Sequence, residues 1–160
     1  MELKTVGVAM PEGCNVIVGH THFIKSVEDM YEALAESGTA LKFGLAFCEA
    51  SGDSLIRSDG NDADLVKHAE KEALKIGAGH MFIIFLKNGY PVNVLNRLKS
   101  LSEVCTIHAA TANPLELVIA ETAAGRGILG VIDGGRPKGI ETGKDREKRM
   151  EFLRKIGYKR

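Results

Sequence analysis

The sequence predicts an α+β fold, a mixed α/β sandwich in which a mixed β-sheet carries about four helices, over residues 1–160 as one domain. Three observations lead there. Element signals run ββαββαβαβββα, alternating at first and strand-rich afterwards. The 160 residues are 44% hydrophobic and 26% charged, enough for one real core and without a disorder signature. The stretch GRGILG, Gly125 to Gly130, has the letters of a dinucleotide fingerprint, yet no helix signal comes after it. Val131 and Ile132 read as strand, and Gly134, Gly135 and Pro137 oppose a helix beyond them, so this is not a Rossmann fold.

ELKTVGVA (2–9) reads as a strand, PEGCN as a turn, and VIVGHTHFI as the start of a second strand. Ser26 and Asp29 have capping-box spacing for a helix with Val27, Met30 and Leu34 inward and Gly38 as its stop. ALKFGLAFCEAS (40–51) reads as a long buried strand and SLIR (54–57) as a short one. Asn61 is the expected cap of a helix over 62–76, with Leu65, Val66, Ala69, Ala73 and Ile76 on its buried face. His80–Lys87 is the most hydrophobic strand, and Pro91 begins a helix lined by Val94, Leu95 and Leu98. EVCTIHAAT (103–111), LELVIAET (115–122) and ILGVID (128–133) read as three strands. Thr142 and Asp145 cap a last helix, with Met150, Leu153 and Ile156 expected to face in and Gly157 to end it.

Composition narrows the function classes. No apolar run approaches the roughly 20 residues of a membrane span, and MELKTVGVAM lacks a signal-peptide pattern, so a cytoplasmic location without a membrane partner is expected. Aromatics make up 6% and Trp is absent, which argues against base-stacking platforms. Net charge is zero, but residues 136–160 hold ten Lys or Arg against four Asp or Glu. That surplus reads as a solvated helix face, with a subunit contact in a homo-oligomer or a nucleic-acid patch as the sharper alternatives. Cys14, Cys48 and Cys105 form no CxxC pair, so no structural zinc or disulfide framework is expected. Cys48 and Cys105 read as buried, and Cys14 as the reactive one.

Four polar clusters could carry chemistry. In GHTHFIK (19–25), His20 and His22 share a strand face; they read as satisfied histidines, as half of a metal site with no third ligand, or as a neutral imidazole acting as nucleophile or base beside Lys25. In EASGDSLIRSDGND (49–62), Arg57 can clamp a phosphate next to a glycine-rich helix start. His80 heads a buried strand, and Asn93 and Asn96 share one helix face. Around the GRG turn, Gly125 and Gly127 allow a ligand close to the backbone, with Arg126 between them and Glu121, Thr122 and Asp133 at strand ends.

THFIK, EASG…R…GND, AGH.F, NVLN, ATANP and ET..GRGI.GV.DG together resemble the adenosine-specific kinase family, found mainly in archaea and thermophilic bacteria, over nearly the whole chain. Where the family often has GQTHF, this chain has His20, which makes His22 the better candidate of the two. The resemblance implies binding of adenosine and AMP rather than ATP, and a phosphohistidine. His22 is the first candidate carrier and His80 the second. Lys25, Arg57 and Arg126 would stabilise the transferring phosphoryl group. Glu121 or Asp133 would hold ribose hydroxyls, and Asn61, Asn96, Asn113, Thr122, Gly125 and Gly127 complete the candidate binding set. There is no GxxxxGK[ST] loop and no recognisable sugar-kinase anion-hole motif, so a P-loop donor site is not supported. No metal site and no cofactor are required, although Asp59, Asp62 or Asp133 would permit Mg²⁺. The alternatives are a non-catalytic AMP or adenosine sensor and an RNA-associated protein using the basic C-terminal segment.

Overall fold

The computed structural model describes all residues, 1–160. Its elements are β1 (Glu2–Val8), β2 (Asn15–Thr21), α1 (Ser26–Ala35), β3 (Lys42–Cys48), β4 (Ile56–Gly60), α2 (Ala63–Ile76), β5 (Met81–Lys87), α3 (Pro91–Lys99), β6 (Val104–Thr111), β7 (Leu115–Thr122), β8 (Gly125–Asp133) and α4 (Gly143–Lys155). The fold is α+β with four helices. The expected mixed sheet is instead two antiparallel sheets, ordered β4-β3-β5-β2-β6 and β1-β7-β8. Among the paired strands, only β3–β4 and β7–β8 are consecutive strands joined by short connections; the other antiparallel pairs bring together strands distant in sequence.

The five-stranded sheet is the middle layer, and strand alternation gives each of its faces a core. Val16, Val18, Ala46, Cys48, Met81, Ile83 and Phe85 pack with α2 and the three-stranded sheet. Ile17, Phe43, Leu45, Phe47, Phe82, Ile84 and Leu86 pack with α1 and α3. A strand buried on both faces needs a continuous apolar run, and MFIIFL supplies it for central β5.

Local chemistry shifts several expected boundaries. Ser26 does not cap α1: Lys25 holds the cap position without a side-chain bond, and the buried Ser26 hydroxyl pairs with Thr21 Oγ1 at 2.8 Å and donates to Phe23 O at 2.6 Å. Asp62, not Asn61, caps α2, accepting from the N–H groups of Asp64 and Leu65. Asn61 is instead a backbone clamp, taking the Phe43 N–H at 2.9 Å and donating to Leu41 O at 2.8 Å. Thr142 and Asp145 do form the capping box of α4. No α4 residue is buried, however: Leu153 and Ile156 are half-covered and Met150 is exposed, because the helix packs on neither sheet. The cysteines also differ from expectation. Cys14 is buried by its turn, whereas Cys105, on edge strand β6, is exposed.

Candidate active site

One end of the five-stranded sheet gathers the chemistry. Phe47 pairs with Phe82 across β3 and β5, so two residues further on Glu49 faces His80. His20 pairs with Met81 across β2 and β5, and Thr21 donates its N–H to His80 O at 3.0 Å. Arg57 lies opposite Phe47 on β4. The ends of β2 and β3 and the starts of β4 and β5 thus bring His20, Glu49, Arg57 and His80 together.

His80 is the most constrained of these. Its backbone is left-handed, with φ 61°, which costs a non-glycine residue free energy and is held only by its surroundings. Its N–H donates to Cys48 O at 2.8 Å. The ring stacks on Phe47 and meets the edge of His20, each with centroids 5.9 Å apart. Its Nε2 lies 3.6 Å from Glu49 Oε1. Glu49 is itself fixed: Oε1 accepts from Ala50 N, Ser51 N and Ser51 Oγ, while Oε2 pairs with Arg57 Nη2 at 3.2 Å. The Ser51 hydroxyl first, then the backbone N–H groups and Arg57, hold the Glu49 carboxyl below its usual range. Arg57 also donates to Ile24 O at 3.4 Å.

His22, the first residue beyond β2, is exposed and makes no hydrogen bond to the protein; its nearest ring is Phe23. Lys25 is engaged by Asp29 and by the buried Glu103, at 3.1 Å from the latter, and these partners raise its pKa. It therefore has less charge to spare for a ligand than its neighbourhood suggested.

The GRG turn reaches this end from the other sheet. Arg126 donates through Nε to Glu121 at 2.9 Å and through Nη1 to the Lys75 and Ile76 carbonyls, closing the C-terminus of α2. Glu121 also pairs with Lys4 at 3.0 Å, and that bond first, then Arg126, lowers its pKa. Thr122 shapes the turn, accepting from Ala124 N. Arg126 separates two hollows. One, about 540 Å³, is lined by Glu49, Ser54, Gly77, Gly79 and Gly125. The other, about 310 Å³, is lined by His20, Gly79, Thr106, His108 and Gly127. The larger falls within the range of small-molecule sites. His108 reaches its hollow from a bulge, since Val18 pairs with Ala109 and Gly19 with Ile107.

Other expected residues lie elsewhere. Asp133 is not at the Arg126 end: in the β7–β8 hairpin Glu121 faces Arg126, whereas Asp133 faces Leu115, seven residues along the strand, roughly 23 Å away. There its carboxylate accepts from Thr111 Oγ1 at 2.7 Å and Asn113 Nδ2 at 3.0 Å. Asn113 borders a separate, mainly apolar cleft of about 810 Å³ between α3 and α4 that has no histidine or carboxylate in its wall. Asn93 lies near it and bonds the Tyr158 hydroxyl, while Asn96 is exposed on α3. Asp59, Asp62 and Asp133 do not converge, and no three His, Cys, Asp or Glu side chains are placed to share a metal. Glu49, the hub of the cluster, is the residue that sequence reasoning left out of the site; its signal was its place in EASG, directly after a strand.

A fixed carboxylate, Glu49, and a guanidinium, Arg126, thus line a nucleoside-sized hollow at one end of an antiparallel α+β sandwich, and the same carboxylate faces His80. The chain belongs to the adenosine-specific kinase family, whose model matches residues 6–159. It is similar to the PH1918 protein from Pyrococcus horikoshii OT3, known from a crystal structure: identity is 42%, the TM-score is 0.94, and the match covers 99% of this chain and 98% of that one. No curated protein matches it.

Proposed function

We propose that this protein moves a phosphoryl group between a histidine and the 5′ oxygen of adenosine, binding adenosine and AMP in the hollow beside Arg126. The observation that carries this reading is Glu49, which lines that hollow together with Arg126 and whose two carboxylate oxygens face His80 and Arg57. In the exchange, an imidazole nitrogen attacks the AMP phosphorus. The N–P bond forms as the P–O5′ bond breaks, the imidazole gives up its proton, and the departing 5′ oxygen takes one. The reverse step makes AMP from adenosine. Geometry favours His80 over His22 as carrier, because a nucleophile works best when neighbours fix its ring, and His22 has no such partners. His22 would sit on the rim beside the N-terminus of α1, which has no side-chain cap but carries Glu28 and Asp29 in its first turn. Arg57 and the free Nη2 of Arg126 would carry phosphoryl charge. Unpaired cysteines fit a cytoplasmic setting, and the exposed Leu3, Leu129 and Ile132 of the three-stranded sheet fit a homo-oligomer.

Intact mass at neutral or basic pH, after incubation with AMP, tests the reading. The wild type and His22→Gln should gain one phosphoryl group and His80→Gln should not. The reverse pattern moves the carrier to His22. Binding without any mass gain or isotope exchange between adenosine and AMP would make the protein a sensor.

A further inference from the structure

Glu49 makes more bonds than the turn around it requires. The turn 49–52 is held when Oε1 takes the Ala50 and Ser51 N–H groups, at 2.9 and 3.1 Å, and the Ser51 hydroxyl at 2.8 Å. The same oxygen also faces His80 Nε2 at 3.6 Å, and the second oxygen binds Arg57. The carboxylate is only 10% exposed and is locked by donors on three sides. The ring it faces is equally restricted: Phe47 covers one face and His20 abuts an edge. His80 Nδ1 has no hydrogen-bond partner in the protein. One imidazole nitrogen thus faces a fixed anion and the other is uncommitted. The arrangement is the one in which a carboxylate selects a tautomer and leaves the opposite nitrogen with its lone pair free.

We propose that Glu49 is the positioning residue of His80, holding the Nε2–H tautomer so that Nδ1 is the nitrogen that accepts the phosphoryl group. This rests on the phosphotransfer reading of the same site. The Nδ1 lone pair attacks the AMP phosphorus, and the N–P bond forms as the P–O5′ bond breaks. The ring becomes cationic as it does so, and the Glu49 carboxylate lies where that charge grows. The Nε2 proton leaves along the Glu49 side, and the 5′ oxygen is protonated from solvent, so one proton is released and one is taken up. At 3.6 Å the Glu49–His80 contact is longer than a hydrogen bond, and ligand binding would shorten it.

Two measurements test the proposal on the full chain. Nitrogen-15 spectra of the ligand-free protein at basic pH, with His80 assigned through His80→Gln, should show Nε2 protonated and Nδ1 bare. In Glu49→Gln, which keeps the size and an acceptor for Ser51, that preference should weaken, and adenosine–AMP exchange should slow by about 10- to 100-fold. Glu49→Asp, which keeps the charge, should recover part of the rate. On the phosphorylated wild type, nitrogen-15 and phosphorus-31 spectra should place the phosphoryl group on Nδ1. A protonated Nδ1 in the wild type, an Nε2 phosphate, or an unchanged tautomer in Glu49→Gln would each overturn the proposal. If Glu49→Gln fails to fold, the wild-type tautomer and phosphate position still decide it. A protein that shows the expected tautomer but never carries phosphate overturns the exchange reaction itself and the role of Nδ1, while the hold of Glu49 on the ring stands.

Discussion

Arg126 is largely committed to the fold, and the proposed function asks its remaining arm to meet the ligand. Its Nε and Nη1 are spent on Glu121 and on the last carbonyls of α2, which leaves Nη2 for a phosphate. Arg126→Ala should therefore cost about 1–2 kcal/mol of stability, measured by denaturant unfolding, and weaken AMP about tenfold more than adenosine by calorimetry. Equal losses for the two ligands would leave Arg126 with a structural role alone. A second prediction concerns protons. Burial, then the neighbouring His80 and His108 rings, lowers the His20 pKa; burial lowers that of His108. The folded chain then binds fewer protons than the unfolded chain as pH falls through about 6.5, so stability holds above that pH and declines below it. This loss precedes that from the carboxylates, whose window lies below their usual value near 4. Tm should fall between about pH 7.5 and about pH 5.5, and less so in His20→Gln with His108→Gln; an identical fall in the double variant would remove these rings as the cause. The sequence showed that His20, His80 and Arg57 were candidates. It did not show that Glu49 faces His80, because that neighbourhood is set by the β3–β5 register, 31 positions apart along the chain.

At the scale of elements, hydrophobic patterning was the readable part. MFIIFL reads as the most hydrophobic strand and is the central one, and the α2 stripe places Leu65, Ala69, Ala73 and Ile76 in the core, whereas Val66 is half-buried. What patterning could not supply was competition for the same atoms. Asn61 and Asp62 are both good caps, and Asn61 lost the position because its amide is used by two backbone groups beside β3. Strand ends taken without their pairing put Asp133 near the GRG turn, whereas the hairpin register places it at the opposite end. The glycines of that turn separate in the same way. Gly125 has φ 144°, a backbone that L side chains rarely adopt, so its conformation demands glycine. Gly127 has ordinary backbone, and a Cβ there would meet nothing within 4 Å. Gly127→Ala should therefore leave Tm nearly unchanged and adenosine affinity within about twofold, since Gly127 lines the smaller hollow and not the larger one assigned to the nucleoside. A roughly tenfold or greater loss would move the nucleoside into the smaller hollow. Gly44→Ala is the contrasting case: its Cβ would lie 2.2 Å from the Leu65 carbonyl carbon, so it should destabilise by about 1–3 kcal/mol or more with no local effect on the ligand.

For the whole molecule, stability and chemistry occupy different depths. Both cores use the five-stranded sheet, with β5 at its centre, and the histidine cluster grows from the end of those same strands. A site built on rigid strand ends keeps its geometry without help from mobile loops. The C-terminal segment is the opposite case. Its apolar residues recur at helical spacing, and from sequence that looked like a buried face. Periodicity reports which side of a helix is apolar, not whether any surface remains to cover it. Every residue from Arg136 to Phe152 is exposed, and α4 touches the rest mainly through Leu153, Ile156 and Tyr158, whose hydroxyl accepts from Asn93 at 2.9 Å. Little burial holds this helix in place, so it should open without the core opening. Amide hydrogen exchange on the intact chain should show α4 amides exchanging at least about a hundredfold faster than those of β5, whose exchange should require global unfolding. Ligand should slow exchange at residues 49–51 and 79–81 and leave α4 unchanged. Protection of α4 equal to that of β5 at low protein concentration would mean that the helix is held by contacts within the chain. Protection that appears only as concentration rises would mean that a second copy covers Met150 and Phe152, and the basic surplus of residues 136–160 would then border a subunit contact rather than open solvent.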